Sequence, residues 1–185
     1  MANRAMNGGP MLLGISGSLR REASNTKLIR EAGRLYGGDF AEADIRIPLY
    51  DGDDEAASGV PAGAQALVEQ IVAADAVVIA TPEYNQSLSG VLKNALDWVS
   101  RVKSRPFRDK PVALMSAAAG RSGGARGNYA LRLALTSFKP RMLTSELLLA
   151  DGRNQFDDNG HLKSDRFSEQ LIDLMTLLRA EVARR

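Results

Sequence analysis

The sequence predicts one α/β domain with a doubly wound parallel sheet and helices on both of its faces. Five short apolar stretches alternate along the chain with five segments of helical periodicity, the pattern of repeated β–α–β units. Residues 76–80 are apolar throughout, which is typical of a central parallel strand covered on both faces. The chain has 185 residues, a length that fits one domain with a sizeable core.

The first strand and the first helix have clear sequence boundaries. Residues 11–15 form a short apolar stretch that runs into Ser16 and Gly17, so they predict a buried strand ending in a loop. Apolar residues then recur at helical spacing between positions 28 and 36. Gly37 follows them and supplies a residue at which a helix can end.

The next strand and helix are predicted from weaker patterns. Ile45, Ile47 and Leu49 recur with a period of two and predict a second strand, and residues 51–59 predict a polar loop. Pro61 suits the first turn of the following helix, where a missing N–H has little effect. The buried face of that helix is expected to contain Leu67, Val68, Ile71 and Val72.

The remaining elements follow from the same periodicities. The third strand ends at Thr81 and Pro82, because proline restricts the residue before it to extended conformations. The later elements are a helix with an apolar face over residues 88–99, a strand over 111–115, a helix through 129–135, a strand over 143–149 and a closing amphipathic helix over 167–178.

Composition excludes several classes of function. The chain has 24 Lys and Arg against 22 Asp and Glu, so it lacks the concentrated basic composition of nucleic-acid-binding proteins. The absence of cysteine excludes disulfides and thiolate chemistry, and the single histidine, His161, excludes a multi-histidine metal site. No apolar run approaches the roughly 20 residues of a membrane span, so we expect a cytoplasmic location. Residues 1–10 predict a loose, flexible N-terminal tail before a single domain over residues 11–185.

The loops after the first, third and fourth strands are the candidate ligand site, since doubly wound sheets bind ligands at the carboxyl ends of their strands. The first of these loops contains Ser16, Gly17, Ser18 and Arg20 ahead of a helix, a combination that favours an anion such as phosphate. The alternative is a simple turn with a helix N-cap at Ser24 or Asn25. The sequence of this loop does not match a P-loop, a dinucleotide-binding glycine motif or a nucleophile elbow, so these three sites are excluded.

The other two loops carry features that suit a planar polar ring. After the third strand, Tyr84 offers a flat surface and Asn85 offers both a donor and an acceptor, although packing and turn formation would also explain them. After the fourth strand, residues 116–127 are rich in small residues and leave room for a ligand to approach the backbone, or for a turn into the next helix.

Four motifs in this order and spacing resemble the NADPH-dependent FMN reductase family, and most of all its chromate and quinone reductase branch. They are Gly17-Ser18-Leu19-Arg20 with Asn25, Pro82-Glu83-Tyr84-Asn85, Lys93-Asn94-Ala95-Leu96-Asp97-Trp98 and Gly123-Gly124-Ala125-Arg126. The resemblance extends from about residue 11 to residue 178. It implies a flavodoxin-like three-layer sandwich with a five-stranded parallel sheet in the order 2-1-3-4-5.

The resemblance also implies an FMN site. Ser18, Arg20 and Asn25 would surround the FMN phosphate, with Ser16 and Thr26 close by. The isoalloxazine ring would lie along Pro82, Glu83, Tyr84 and Asn85, and its other edge would be closed by the segment that contains Ser116, Ala117 and Gly120. Relatives often carry a serine at the position of Ala23, and Ser24 is the candidate to replace it in phosphate binding.

The activity implied by the resemblance is hydride transfer from NADPH or NADH through bound FMN to quinones, chromate, ferric complexes or azo dyes. The cofactor carries this chemistry, so no side chain is assigned as an acid or a base. The alternative is a flavodoxin-type FMN electron carrier that does not oxidise NAD(P)H itself. A homodimer is expected, and Arg126 and Tyr129 align with residues that join dimers into tetramers in some relatives.

Overall fold

The structure, a computed structural model, describes residues 9–184 and contains a five-stranded parallel sheet. The strands are β1 Leu12–Ser16, β2 Phe40–Glu42, β3 Ala76–Thr81, β4 Pro111–Ala117 and β5 Arg141–Leu149. They lie in the order β2-β1-β3-β4-β5, which confirms the predicted fold and strand order. Of the predicted tail over residues 1–10, residues 1–8 lie outside the described residues.

Helices cover both faces of the sheet. They are α1 Ser24–Tyr36, α2 Gly52–Ser58, α3 Ala62–Ala73, α4 Gly90–Ser100, α5 Ala125–Leu135 and α6 Asp165–Ala183, with a short 3-10 helix at Thr136–Phe138. One apolar cluster joins α1 and α6 to the sheet, and another joins α3, α4 and α5 to its opposite face. Within residues 9–184, no helix has both the length and the apolar content that a membrane crossing requires.

The position predicted for the second strand is wrong. The strand is Phe40–Glu42, and the Phe40 ring fills the space that Gly14 and Gly33 leave beside it. Ile45 and Ile47 are buried but lie beyond the ladder, where the Ile47 N–H donates to the carbonyl of Ile45. The period of two therefore comes from an irregular segment whose isoleucines pack on the core, and the pattern ends before Leu49, which is 82% exposed.

Two details of the following segment also differ from the prediction. The predicted polar loop contains α2, which begins after Asp51 because the Asp51 carboxylate accepts a hydrogen bond from the Asp53 N–H at 2.8 Å. Pro61 is the N-cap of α3 and not part of its first turn. Val72 is exposed on α3, whereas Leu67, Val68 and Ile71 are buried as predicted.

Candidate functional site

An open cleft of about 200 Å³ lies at the carboxyl ends of β1, β3 and β4. We call it the edge cleft. It lies between the first loop (residues 17–23), the second loop (residues 82–89), the third loop (residues 118–124) and the turn after β5 (residues 150–153). The residues that line it are Ser18, Arg20, Ala23, Ser24, Asn25, Pro82, Glu83, Tyr84, Ala117, Ala118, Ala119 and Arg153.

Helix α1 begins at the edge cleft without a side-chain cap. Its N-cap is Ala23, so the alternative of a cap at Ser24 or Asn25 is wrong. The Ala23 carbonyl accepts hydrogen bonds from the N–H groups of Thr26 and Lys27 at 3.0 Å each. The N–H groups of Ser24 and Asn25 have no acceptor within residues 9–184. Together with the helix dipole, these free donors make the start of α1 suited to an anion.

Asn25 holds this helix start against the end of β4. Its side chain is buried, its Nδ2 donates to the Ala117 carbonyl at 2.9 Å, and its Oδ1 accepts from the Ala117 N–H at 2.9 Å. The amide therefore pairs with the backbone as another strand residue would. Asn25 lines the edge cleft, and the contacts of its side chain position the cleft wall.

Ser16 and Thr26 lie behind the first loop and do not line the edge cleft. Both are buried, and their hydroxyl oxygens are 2.8 Å apart. The Ser18 N–H donates to the Ser16 hydroxyl at 3.4 Å, so this pair supports the loop from inside. The carboxylate of Glu22 pairs with Lys27 at 2.9 Å, and this hydrogen bond lowers the pKa of Glu22. Because Glu22 is engaged by Lys27, Arg20 has no carboxylate partner within the described part of the chain.

A larger depression of about 500 Å³ lies on the other side of the first loop and includes Ser16 and Thr26. Two of its wall arginines are already paired with carboxylates, whereas Arg20 and Arg21 line it without a carboxylate partner among the described residues. Arg30 binds Glu42 at 2.7 Å, and Arg46 binds Asp44 at 3.2 Å. We place the site in the smaller edge cleft because Ser24 and Asn25, whose N–H groups are free, line it and do not line this depression.

The second loop contains a two-residue turn with an uncommon backbone conformation. The N–H and carbonyl groups of Tyr84 pair with those of Ser87 at 3.0 and 3.1 Å. Between them, Asn85 and Gln86 have φ angles of 50° and 64°, which corresponds to a type I′ turn. Left-handed non-glycine residues cost about 1 kcal/mol or more each and concentrate at functional sites. The turn leaves Tyr84 half exposed in the cleft wall and Asn85 exposed outside the cleft.

Ser89 joins the second loop to the first. It is buried, and its hydroxyl donates to the Gly17 carbonyl at 2.6 Å. Ser89 also caps α4, because its oxygen accepts a hydrogen bond from the Leu92 N–H. A Cβ atom at position 17 would lie 3.2 Å from Pro82, so glycine permits this close approach.

The third loop is fixed by buried contacts. The Ser116 hydroxyl donates to the Gly123 carbonyl at 2.6 Å, and Ser116 is fully buried. Gly123 has a φ of 60°, and a Cβ atom there would lie 2.5 Å from the backbone of Leu148. Ser116 therefore shapes the loop from inside. Neither it nor the exposed Gly120 lines the edge cleft.

Glu83 connects the second loop to the helix that follows the third. Its carboxylate accepts a hydrogen bond from the Arg126 N–H at 3.0 Å and lies 3.5 Å from the Arg126 guanidinium. Helix α5 has no side-chain cap of its own at Gly124, so Glu83 takes that role from another loop. A Cβ at Gly127 would lie within 3.1 Å of the second-loop backbone, which shows how closely the two segments pack.

Arg153 is the cleft residue that the sequence analysis missed. It follows β5, whereas the site was predicted only from the loops after the first, third and fourth strands. The rule that ligands bind at the carboxyl ends of the strands applies to β5 as well, and would have drawn attention to this turn.

The cleft therefore has two chemically different ends. One end lies at the start of α1, and the groups named there are hydrogen-bond donors without negative charge. They are the Arg20 guanidinium, the Ser18 and Ser24 hydroxyls and the free backbone N–H groups. Pro82 and Tyr84 of the second loop line the same cleft together with the small residues Ala118 and Ala119 of the third loop. A ligand with an anionic group and a flat, largely apolar ring system suits both ends.

Comparison with known proteins gives the same family for most of the chain. The profile of the family described as NADPH-dependent FMN reductase matches residues 10–153. An NAD(P)H-dependent FMN reductase from Pseudomonas aeruginosa is 43% identical over 177 residues, which cover 94% of this chain and 95% of that protein. A quinone reductase from Escherichia coli strain K12 is 44% identical over 120 residues, which cover 63% of this chain and 64% of that protein.

A solved structure shares the fold at similar coverage. The flavoenzyme NAD(P)H:(acceptor) oxidoreductase FerB from Paracoccus denitrificans superimposes with a TM-score of 0.85 at 26% sequence identity. The match covers 95% of this chain and 98% of that structure.

Proposed function

This chain belongs to the NADPH-dependent FMN reductase family and is an FMN-dependent NAD(P)H oxidoreductase, and from that premise we propose that its edge cleft holds FMN and admits quinones as electron acceptors. When bound, FMN accepts a hydride from NAD(P)H and delivers the electrons to the acceptor. The relatives reported above are named as reductases, and so the electron-carrier alternative is set aside.

The observation that carries this assignment is the uncapped start of α1 beside an unpaired guanidinium. The FMN phosphate is the anionic group that fits there, with Ser18, Arg20 and the N–H groups of Ser24 and Asn25 as its donors. In this proposal the backbone N–H and the hydroxyl of Ser24 bind the phosphate in place of a serine hydroxyl at position 23, where this chain has Ala23. Ser16, Thr26 and the Asn25 amide position these donors from behind.

The ring of FMN is assigned to the other end of the cleft. Pro82 and Tyr84 form one wall there, and Ala117 with the start of the third loop forms the other. Glu83 holds the second loop on α5 through Arg126, so its carboxylate acts as a positioning group. Asn85 and Ser116 are assigned supporting roles through the type I′ turn and the third loop.

Quinones are the acceptors that the proposal favours. Several relatives are named quinone reductases, and they include proteins from Escherichia coli and Pseudomonas putida. The half-exposed Tyr84 ring offers a flat apolar surface at the cleft, which suits stacking of another planar ring. Chromate, ferric complexes and azo dyes complete the set of acceptors to be compared with quinones.

Anaerobic reduction tests the proposal directly. The purified protein with bound FMN is mixed with NADPH or NADH in the absence of oxygen, and the visible absorbance of the flavin is followed. Rapid bleaching by the nicotinamide and rapid return of colour on adding a benzoquinone are the expected results. A protein that binds no FMN, or that bleaches but is not reoxidised by any quinone, contradicts the proposal.

A matched pair of variants tests the acceptor end of the cleft. Tyr84→Ala is expected to raise KM for the quinone several-fold, because aromatic contacts of this kind contribute about 1 kcal/mol. Leu177→Ala removes a similarly exposed apolar side chain from α6, far along the chain from the four loops, and should leave KM unchanged. Equal KM values for Tyr84→Ala and the unmodified enzyme would remove Tyr84 from the acceptor site.

We also propose that the enzyme works as a homodimer that can assemble further into a tetramer through Arg126 and Tyr129. Both side chains are more than half exposed on α5, although Arg126 is also held by Glu83. Light scattering on the unmodified protein and on Tyr129→Ala tests this: a tetramer that falls to a dimer is the expected result. A cytoplasmic location stays a prediction.

A further inference from the structure

The turn after β5 is fixed against the start of α1. The Gly152 N–H donates to the Ala118 carbonyl at 2.9 Å. A Cβ atom at position 152 would lie 3.1 Å from the Ala117 Cβ and 3.3 Å from the Ser24 Cβ, so the turn approaches α1 closely. Asp151 adopts a left-handed φ of 50°, and its carboxylate accepts a hydrogen bond from the Asn154 side chain at 2.9 Å. The backbone that carries Arg153 is therefore held in place.

The charge of Arg153 is not compensated by the protein. Within residues 9–184, no carboxylate lies within 4 Å of its guanidinium, and the nearby Asp151 carboxylate is engaged by Asn154. Arg153 lines the edge cleft together with Ser18, Arg20 and Ser24. Two guanidiniums without carboxylate partners thus border the same uncapped helix start from different loops.

The start of α1 has fewer side-chain donors than its position suggests. Ala23 at the N-cap has no polar side chain, and the Asn25 amide is committed to Ala117. A phosphate monoester carries a charge of about −1.5 to −2 near neutral pH and has three acceptor oxygens. A single guanidinium at Arg20 leaves part of that charge uncompensated. A second guanidinium, which can donate two hydrogen bonds to one phosphate, would neutralise the remaining charge.

We propose that Arg153 is a second cationic ligand of the FMN phosphate, so that the phosphate site spans the start of α1 and the turn after β5. This inference rests on the proposed function, because it takes FMN as the occupant of the edge cleft. It extends the site to the fourth connection at the carboxyl edge, which lies between β5 and α6.

Binding to the apoprotein tests the inference without reference to turnover. Dissociation constants for FMN and for riboflavin, which lacks the phosphate, are measured by quenching of flavin fluorescence for the unmodified protein and for Arg153→Gln. FMN is expected to bind roughly tenfold more weakly to the variant, since a charge-assisted hydrogen bond is lost. Riboflavin is expected to bind equally to both proteins. Arg121→Gln, an exposed arginine of the third loop outside the cleft, is the matched control and should change neither value.

Each other outcome overturns the inference in a different way. An unchanged FMN dissociation constant removes Arg153 from the phosphate site. Equal weakening of FMN and riboflavin binding assigns Arg153 to the ring or to the loop structure. A raised KM for NADPH with unchanged FMN affinity assigns it to the nicotinamide nucleotide. If the unmodified protein binds no FMN, the proposed function itself fails, whereas the first three outcomes leave that function intact.

Discussion

Two depressions at opposite ends of the sheet are rich in cations, and they differ in what those cations contact. The amino-end depression, of about 570 Å³, contains Arg105, Arg108, Lys110 and Arg141. The Lys110 ammonium donates to the carbonyls of Ala74 and Val72, and Arg141 donates to the Asp109 carbonyl and to Glu181. In the edge cleft, Arg20 and Arg153 have no such partner within residues 9–184. Arg105 likewise has no carboxylate partner among the described residues, so neither the number of cations nor one unpaired guanidinium identifies an anion site. The free N–H groups at the start of α1 do so.

The polarity of the βα units explains this difference. Helices begin at the carboxyl end of the sheet and finish at the amino end, so the first end presents N–H groups and the second presents carbonyls. Lys110 beside the last turn of α3 satisfies such carbonyls. At the start of α1 the same logic leaves N–H donors that a ligand can satisfy.

The largest effect is expected at Asn25, which joins two walls of the edge cleft. Asn25→Leu keeps the shape of the side chain but leaves the buried N–H and carbonyl of Ala117 without their partner. At about 1–3 kcal/mol for each unsatisfied group, we expect a loss of about 3 kcal/mol in the free energy of unfolding. That corresponds to a fall in Tm on the order of 10 °C. Calorimetry of the apoprotein measures it.

Asn154→Leu is the control for this variant. Asn154 is exposed and bonds only the Asp151 side chain and carbonyl at the surface, so its loss should change the free energy of unfolding by less than about 0.5 kcal/mol. If both variants lose the same stability, the connection between α1 and β4 does not hold the cleft together.

The second effect concerns the amino end of the sheet. Lys110→Met keeps the apolar stem of this buried side chain and removes its ammonium group, which leaves carbonyls at the end of α3 without their donor. We expect a loss of about 2 kcal/mol in the free energy of unfolding and an unchanged dissociation constant for FMN. Lys103→Met, at an exposed position, should change neither quantity. Weaker FMN binding by Lys110→Met would contradict the inference that ligand binding depends on the carboxyl end of the sheet and not on the amino end.

The fold was predictable because buried strands carry an unambiguous pattern. Residues 76–80 are apolar throughout, which is typical of a covered strand, and β3 is found there. The second strand was misplaced since β2 is a short edge strand whose position depends on the Phe40 ring packing against Gly14 and Gly33. These glycines lie in other elements, so a local period of two could not reveal that contact.

The third effect returns to the edge cleft. Arg20→Gln removes an uncommitted cation, so we expect the apoprotein to keep its stability while FMN binds roughly tenfold more weakly. Titration calorimetry with FMN, together with the Tm of the apoprotein, separates the two quantities. Arg105→Gln removes an exposed cation of the amino-end depression and should leave FMN binding unchanged. Equal losses for the two variants would mean that general charge, and not local donors, governs the affinity.

The candidate site was predictable in its location and only partly in its members. Residue types and spacing identified Ser18, Arg20 and Tyr84, all of which line the edge cleft. They could not distinguish Ser16 or Ser116, since hydroxyls that bind a ligand and hydroxyls that bind the backbone look alike in a sequence. Arg153 was missed because its proximity to α1 depends on a tertiary contact of Gly152.

The smallest effect concerns Glu31 on α1, whose cationic partner Arg34 is committed to a carboxylate, as Arg141 is at the amino end. Glu31 is buried and binds Arg34 at 2.7 Å and His161 at 3.0 Å. Burial raises the pKa of Glu31, but the hydrogen bonds from Arg34 and His161 outweigh burial and hold it below its ordinary value. A lowered pKa in the folded state means that this stabilisation is present above the ordinary pKa and is lost as pH falls through the folded-state value.

Protonation of Glu31 at low pH should therefore leave Arg34 without a carboxylate partner. Arg34 would then be unpaired, as Arg20 is. At about pH 7, Glu31→Gln is expected to unfold with roughly 1 kcal/mol less free energy than the unmodified protein. This difference should shrink as the pH falls below the ordinary pKa of a glutamate, because the wild-type carboxyl then becomes neutral as well. Urea unfolding at several pH values measures it, with Glu169→Gln on the exposed side of α6 as the control. A difference that stays constant with pH would show that Glu31 stabilises α1 through its shape and hydrogen bonds, and not through its charge.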